Sequence, residues 1–224
     1  MKLILFGATG MVGQGALREC LLDPDVTQVL SVARGSTGQK HDKLHELLHK
    51  DFTDFSALER QLTGYDACFF CLGVSSAGMS EADYARVTYD FTLAAAKVLA
   101  KANPQMTFIY VSGTGTDSSE KGRSMWARVK GRTENALLAL PFKAAFMFRP
   151  GFIQPMHGIV SKTKLYRVVY AISAPVFPVL NAAFPKAVTT TERVGRAMLA
   201  VAKSSFGKTL LENDDINALA AGSA

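Results

Sequence analysis

The sequence contains few cysteines, no run of like charges and no uninterrupted apolar segment of membrane-spanning length. Three cysteines cannot form the disulfide framework of a small secreted protein, so a reducing, cytoplasmic location is expected. A membrane span needs about 20 consecutive apolar residues. Arg167, Pro175 and Pro178 interrupt the apolar stretch at residues 165–185, and no transmembrane span is expected.

The basic residues are scattered rather than clustered, although the net charge is +6 and the isoelectric point is about 9.3. No basic stripe alternates with aromatic side chains, which argues against nucleic-acid binding. A phosphorylated small molecule fits this charge. The apolar run at residues 3–6 is too short for a signal peptide. With 224 residues and 48% hydrophobic content, the chain is long enough for one domain with a sizeable core.

The most informative stretch is the glycine-rich segment that follows residues 3–6, a short apolar run typical of a buried parallel strand. Gly7, Gly10 and Gly13 stand three residues apart, directly before a helical pattern that ends at Asp23. This spacing permits a tight turn, close approach of a phosphate and close helix–strand packing. The N–H groups at the helix start then face the pyrophosphate of a dinucleotide. An ordinary strand–helix turn is the alternative.

Arg34 follows the second predicted strand, residues 29–33. It lies about 20 residues past the glycines, where NAD-binding units carry an acidic residue for the ribose 2′-hydroxyl. An arginine cannot accept that hydrogen bond, but it can pair with a 2′-phosphate. The sequence therefore favours NADP(H) over NAD(H). A solvated surface arginine is the alternative, and Lys40 or Lys43 could share the contact.

Residues 45–49 match the zinc-peptidase pattern H-E-x-x-H. On a helix, His45 and His49 would share one face and Glu46 could act as a base. The segment falls where the third strand is expected, however, and the other histidines show no ligand pattern. We therefore expect a strand and no metal site.

Two further short motifs lie close to the expected cofactor edge. Asp51-Phe52 follows the third strand and could meet the adenine, or it could be a helix cap and a core phenylalanine. Cys68 and Cys71 have redox C-x-x-C spacing. On a strand, residues three apart point to opposite faces, so we interpret both as strand residues.

Strand and helix patterns alternate along the chain, which predicts an α/β doubly wound parallel sheet, the NAD(P)-binding Rossmann fold, with a small C-terminal helical lobe. The expected division is a dinucleotide-binding core (1–151), a substrate-covering helical lobe (152–190) and a final helix and strand (191–224). One long helix is expected after Ser80, with a buried stripe of Val87, Phe91, Ala94 and Val98. The expected strands are residues 3–6, 29–33, 44–48, 67–72, 107–112, 146–148 and 209–211, and the other expected helices are 55–62, 125–140 and 191–203.

These motifs, in this order, resemble the short-chain dehydrogenase/reductase superfamily in its extended and atypical branches. The resemblance is closest to the Tat-interacting-protein group, whose V-K-G-x-x-E motif resembles Val129-Lys130-Gly131 through Glu134. Its D-F pair resembles Asp51-Phe52. The other features on which the resemblance rests are the glycine spacing, Arg34, Cys71-Leu72-Gly73, Ser112 and Arg149-Pro150-Gly151.

The resemblance implies a catalytic serine, tyrosine and lysine. Ser112 matches the serine that polarises a substrate carbonyl, and Lys130 matches the lysine that holds the nicotinamide ribose. The tyrosine position holds Trp126, whose indole N–H does not ionise at useful pH. Four residues are candidates for a substitute proton donor: Thr114, Ser118, Ser124 and His157. The implied cofactor contacts are Gly7, Thr9, Gly10, Met11, Val12, Gly13, Arg34, Asp51, Phe52, Cys71, Leu72, Gly73, Lys130, Pro150, Phe152 and Ile153.

The leading functional hypothesis is an atypical NADP(H)-binding oxidoreductase that acts on a carbonyl or alcohol. An NADP-binding sensor or scaffold without turnover is the alternative, favoured by Trp126. An NAD-dependent epimerase or dehydratase is weaker, because the tyrosine is missing. A small-molecule substrate is expected, and a homo-oligomer or a protein partner stays open.

Overall fold

The computed structural model describes residues 1–160, 184, 186–204 and 206–222. Most of the expected helical lobe, including nearly all of the apolar stretch at residues 165–185, lies outside the described residues. The two described ends of the lobe, residues 152–154 and 188–190, are short strands that pair in parallel with each other. Helical patterning did not indicate this pair, because three-residue strands carry almost no periodicity.

A seven-stranded sheet with only parallel pairs forms the centre of the molecule. Its order is β3-β2-β1-β4-β5-β6-β9, so the chain reverses direction of winding between β1 and β4. Parallel strands end at one edge of the sheet, and ligands of such folds bind at the point of reversal. The strands are β1 (Lys2–Phe6), β2 (Gln28–Ala33), β3 (Leu44–Leu48), β4 (Ala67–Phe70), β5 (Thr107–Val111), β6 (Ala144–Arg149), β7 (Phe152–Gln154), β8 (Val188–Thr190) and β9 (Leu210–Glu212).

Helices cover both faces of the sheet and form two separate hydrophobic clusters with it. Residues of α1, α5 and α6 pack on one face, and residues of α3 and α4 pack on the other. Burial on both faces explains why the strands read as nearly continuous apolar runs. The helices are α1 (Met11–Leu22), α2 (Glu81–Ala85), α3 (Phe91–Ala102), α4 (Met125–Leu138), α5 (Thr191–Lys203) and α6 (Asn213–Ala220).

The segment His45-Glu46-Leu47-Leu48 is part of β3 and is not helical. In the pairing of β3 with β2, Glu46 of β3 lies opposite Ser31 of β2. The strand prediction for this segment is confirmed. Within the described part of the chain, no three His, Cys, Asp or Glu side chains are grouped closely enough to hold a metal ion.

The helix after Ser80 contains a π-helical turn, Arg86–Asp90, between α2 and α3. The expected buried stripe lies at the margin of the buried face: Val87, Phe91, Ala94 and Val98 are half-buried, and the last three pack against a core cluster. The buried positions are instead Tyr84, Thr88, Thr92, Leu93, Ala95, Ala96, Leu99 and Ala100. A π turn holds more residues than an α turn and rotates the register of everything after it. Regular 3.6-residue spacing could not anticipate that shift.

Smaller differences concern element ends. The expected helix at residues 55–62 is a single 3₁₀ turn, Ser56–Leu58. Cys68 lies within β4, whereas Cys71 lies just after its end. Helix α6 follows β9 and was not anticipated. Helix α5 has the predicted bounds, and Val194, Ala197, Met198 and Val201 are all buried as expected.

Candidate functional site

A cleft of about 650 Å³ opens at the carboxyl edge of the sheet, where β1 and β4 are neighbours. It brings together segments that are up to about 145 residues apart in sequence, because all of the strands end at the same edge. Its lining residues are Gly7, Thr9, Gly10, Met11, Val12, Arg34, Phe52, Cys71, Leu72, Gly73, Val74, Ser75, Val87, Phe91, Val111, Ser112, Gly113, Thr114, Trp126, Lys130, Pro150, Gly151 and Ile153.

The glycine loop is closely packed at its two ends and open in its middle. Gly7 has a φ of +80°, and a Cβ there would lie 2.7 Å from the carbonyl of Cys71. A Cβ on Gly13 would lie 2.0 Å from the carbonyl oxygen of Gly7, so this position accepts no side chain. Gly10 has ordinary extended backbone, and an added Cβ would make a single tight contact, with Gly7 O at 3.3 Å. The open side of Gly10 faces the cleft.

Helix α1 begins directly behind this loop with Gly10 as its N-cap residue. No side chain caps the helix, and its first turn contains no acidic residue. The first N–H groups of a helix have no partner within the helix and carry a partial positive charge. The start of α1 can therefore receive the pyrophosphate of a dinucleotide without displacing a protein carboxylate.

Arg34 lies directly after the end of β2, is exposed and lines the cleft. Phe52 also lines it, but as part of the core: it is 4% exposed and packs edge-on against Phe6 and Phe55. Asp51 does not line the cleft. Its carboxylate accepts hydrogen bonds from the hydroxyl of Thr53 (2.5 Å) and from the N–H of Thr53 (2.9 Å). These bonds hold the pKa of Asp51 low.

Three predicted cofactor contacts are thus absent from the lining: Gly13, Asp51 and Phe152. Gly13 lies beneath the loop, where it allows the packing of α1 against β1 rather than contact with a ligand. Phe152 belongs to the small β7–β8 sheet. The other thirteen predicted contacts do line the cleft.

Ser112 is one of the residues that line the cleft, but its hydroxyl group forms hydrogen bonds within the protein. The hydroxyl oxygen lies 2.5 Å from Glu134 Oε1 and 3.0 Å from the carbonyl oxygen of Phe148. Glu134 is fully buried and forms an ion pair with Arg149, through Nη2 and through Nε at 3.0 Å. The carboxylate of Glu134 raises the pKa of Arg149. We call Ser112, Glu134 and Arg149 the buried triad.

Lys130 extends from the second turn of α4 into the cleft, as the resemblance implies. Its ammonium group donates a hydrogen bond to the backbone carbonyl oxygen of Ser112. Burial disfavours the charged form and lowers the pKa of Lys130 to about 8, against the opposing attraction of Glu134. Lys130 therefore exchanges its proton much more readily near neutral pH than an ordinary lysine.

Trp126 lies one turn before Lys130 and forms part of the cleft wall. Its ring edge lies 3.4 Å from the position that a Cβ on Gly115 would take. Of the four alternative proton donors, only Thr114 lines the cleft. Its hydroxyl donates to the carbonyl oxygen of Arg149 at 3.0 Å, and the residue is exposed.

The other three alternative donors are engaged elsewhere or lie off the cleft lining. The Ser118 hydroxyl accepts a hydrogen bond from Arg149 at 2.5 Å. Ser124 is the N-cap residue of α4 and does not line the cleft. His157 pairs with Glu192 at 2.5 Å.

Sequence reasoning did not place several lining residues: Val74, Ser75, Val87, Phe91, Val111, Gly113 and Gly151. Val74, Ser75, Gly113 and Gly151 lie next to expected contacts in loops that follow strands. The general rule that ligands bind at strand carboxyl ends points to these loops, including the loop that contains Val74 and Ser75, but it does not single out individual contacts. Val87 lies within the π turn and Phe91 directly follows it, away from any strand end, so this rule did not point to them.

The family model for the "NAD dependent epimerase/dehydratase family" matches residues 3–123. A curated relative, Protein FMP52-2, mitochondrial, of Scheffersomyces stipitis, is 29% identical over 152 residues, which are 66% of this chain and 65% of that protein. Protein FMP52, mitochondrial, of Meyerozyma guilliermondii is 26% identical over 93% of this chain and 88% of its own length. Protein HTATIP2 of Rattus norvegicus is 27% identical over 68% of this chain and 62% of its own length.

A solved structure extends the likeness to the fold. The UDP-N-acetylglucosamine 4-epimerase of Methanobrevibacter ruminantium superposes with a TM-score of 0.69 at 14% identity. The match covers 94% of this chain and 75% of that one.

The expectation of a cytoplasmic location is overturned by these relatives, because the FMP52 proteins are named mitochondrial. Cysteine content was a poor guide, since it separates secreted from reducing environments and does not distinguish among reducing ones. Among the helices that the structure describes, none is long and apolar enough to cross a membrane.

Proposed function

The chain belongs to the NAD dependent epimerase/dehydratase family, and from this premise we propose that it is an atypical oxidoreductase that binds NADP(H) in the cleft and acts on a carbonyl or alcohol. The observation that carries the proposal is the meeting of the glycine loop, Arg34 and Lys130 in one lining. A bound nicotinamide dinucleotide supplies hydride chemistry, and the protein supplies binding, orientation and electrostatics.

The residues of the cleft fit a dinucleotide in three places. The bare backbone at Gly10 and the uncapped start of α1 suit a pyrophosphate. The guanidinium of Arg34 suits a 2′-phosphate and cannot accept from a 2′-hydroxyl. The ammonium of Lys130 lines the cleft from the helix that follows β5, which lies two strands beyond β1 on the side away from the β2 that precedes Arg34, and it can donate to ribose hydroxyls.

The side chains that would serve the substrate are Thr114 and Lys130. The Ser112 hydroxyl is bound to the buried Glu134, so we assign the hydrogen bond to a substrate oxygen to Thr114, an exposed residue whose hydroxyl would exchange its bond to the Arg149 carbonyl oxygen for one to the substrate. Lys130 holds a proton at Nζ with a pKa of about 8, which suits proton exchange near neutral pH. The buried triad positions the end of β5, from which both Ser112 and Thr114 follow.

A titration of the protein with NADPH and NADH, followed by quenching of Trp126 fluorescence, tests this assignment. Wild type is expected to bind NADPH more tightly. Arg34→Ala should weaken NADPH by about ten- to a hundredfold and leave NADH nearly unchanged, because an ion-paired hydrogen bond contributes roughly 1.5–3 kcal/mol.

Arg60→Ala is a matched control, since Arg60 is an exposed arginine that does not line the cleft. Equal losses for both cofactors in Arg34→Ala would show that Arg34 does not contact a 2′-phosphate. Failure of wild type to bind either dinucleotide would remove the oxidoreductase proposal altogether.

A second candidate function is an NADP-bound sensor or scaffold with no turnover, whose partner surface responds to the cofactor. Trp126 favours it, because an indole cannot supply the acid–base group that the superfamily takes from tyrosine. The epimerase or dehydratase alternative has less support, since such chemistry also depends on that tyrosine.

Trp126→Tyr distinguishes the two candidates when assayed with NADPH against a panel of aldehydes and ketones. If the protein is an oxidoreductase, wild type turns over at least one compound, and the new phenol accelerates it by about 10²–10⁴-fold. Activity in Trp126→Tyr with none in wild type would instead identify the sensor. Trp126→Phe is the control for loss of the indole.

A further inference from the structure

The loop that follows Arg34 is tied to β3 by a single carboxylate. Glu46 Oε2 accepts a hydrogen bond from the Ser36 hydroxyl at 2.7 Å, and Glu46 Oε1 accepts one from the Thr37 N–H at 2.6 Å. Both oxygens of Glu46 are therefore used by two successive residues of one loop. The loop is further shaped by the N–H of Gly38, which donates to the Ser36 hydroxyl at 3.0 Å, and by the positive φ of Gly38.

The position of Glu46 explains how it reaches this loop. Glu46 stands opposite Ser31 on the neighbouring β2, two residues before the end of that strand. The chain leaves β2 at Ala33 and passes Arg34 before it reaches the two residues that donate to Glu46. The Thr37 N–H and then the Ser36 hydroxyl lower the pKa of Glu46, so its carboxylate is ionised at neutral pH.

A hydroxyl, a backbone N–H and a guanidinium are the usual donors for a phosphate group. Ser36, Thr37 and Arg34 offer these three donors within four residues. In this structure the first two already bind an anion, the carboxylate of Glu46. A phosphate held by Arg34 would have to displace Glu46 from those donors or lie beside its negative charge.

We propose that Glu46 is a specificity-determining residue that acts against the 2′-phosphate, because its carboxylate takes the donors beside Arg34 and thereby lowers the preference for NADP(H) over NAD(H). This inference rests on the proposed dinucleotide site. Glu46 does not line the cleft, so it acts through the Ser36–Thr37 loop and by its charge rather than as a contact to the adenine or the pyrophosphate.

Glu46→Gln tests the inference by fluorescence titration with NADPH and NADH. The amide keeps the size of the side chain and an oxygen for the Thr37 N–H, and it removes the charge. We expect NADPH to bind about tenfold more tightly than to wild type, with NADH within about twofold, since one charge close to a phosphate contributes about this much near a surface. Glu59→Gln is the matched control, because Glu59 is an exposed carboxylate paired with Lys101.

Ser36→Ala provides a coupling test in the same assay. In the Glu46→Gln background the hydroxyl is released for the phosphate, so its loss should weaken NADPH about tenfold. In wild type the hydroxyl is already bound to Glu46, and the same substitution should change NADPH binding less than threefold.

The direction in which Glu46→Gln changes NADPH affinity separates this proposal from a purely structural role for Glu46. If Glu46 only ordered the loop, Glu46→Gln would weaken NADPH or leave it unchanged, and either result overturns the inference while the dinucleotide site stands. If wild type bound neither cofactor, the proposed function would fail and this inference with it. An equal gain in affinity for NADPH and NADH would also overturn the inference, since NADH carries no 2′-phosphate.

Discussion

Gly10→Val is expected to abolish dinucleotide binding while the protein stays folded. Gly10 has extended backbone that any residue adopts, and an added Cβ would meet only Gly7 O at 3.3 Å. The protein itself therefore accepts a side chain at this position with a small adjustment. A pyrophosphate at the start of α1 would have to approach the same bare backbone, and the valine methyl groups occupy that space. No detectable NADPH or NADH binding is expected at millimolar cofactor.

Two control variants separate loss of the site from loss of the fold. Gly207→Val adds a side chain where nothing lies within 4 Å, in the loop that enters β9 from the edge opposite the cleft. It should bind cofactor as wild type does. Gly13→Ala places a Cβ 2.0 Å from Gly7 O, so it should lower the thermal midpoint as well as remove binding. Normal NADPH affinity in Gly10→Val would show that the glycine loop does not hold the pyrophosphate.

Glu134→Gln is expected to lower the free energy of unfolding by about 3–5 kcal/mol. Glu134 is 0% exposed and pairs with Arg149, whose side chain is 10% exposed. Removal of the carboxylate charge leaves the Arg149 guanidinium buried, and among the described residues its remaining ionic partner is Glu212 at 3.3 Å. An uncompensated buried charge is far more costly than the loss of a surface pair.

Urea unfolding followed by circular dichroism measures this effect, with Glu59→Gln as the control. Glu59 pairs with Lys101 at 3.0 Å, and the two side chains are 39% and 74% exposed. Its loss should change the free energy of unfolding by less than about 1 kcal/mol. If Glu134→Gln also lowered the free energy of unfolding by less than about 1 kcal/mol, this would show that the buried triad does not stabilise the end of β5.

The strands and the glycine loop could be predicted from sequence because their signals are local. Strands buried on both faces read as apolar runs, and the Gly7, Gly10 and Gly13 spacing stands between a strand and a helix. The resemblance to the short-chain dehydrogenase/reductase superfamily, drawn from the order of such motifs, is confirmed by the family match and the fold. The positions of Arg34 and Lys130 in one cleft followed from the same topology.

The direction of the Ser112 hydroxyl could not be predicted in this way. Its partners are Glu134, 22 residues away, and Phe148, 36 residues away. Only the packing of α4 and β6 against β5 brings these groups together, and a motif match cannot show which way a side chain turns. The substrate-facing role assigned to Ser112 therefore passes, in our proposal, to Thr114.

The amino-acid order alone predicted a doubly wound parallel sheet, which the structure confirms. It also predicted the glycine loop and the arginine after β2 to which we propose a dinucleotide binds, since each of these signals depends on residues close together in the chain. Long-range contacts established the rest. Val87, within the π turn, and Phe91, directly after it, both line the cleft. The buried triad takes up the Ser112 hydroxyl, and Glu46 takes up the donors beside Arg34. A hydrogen bond depends on distances that only the folded chain sets, and periodicity carries no information about them.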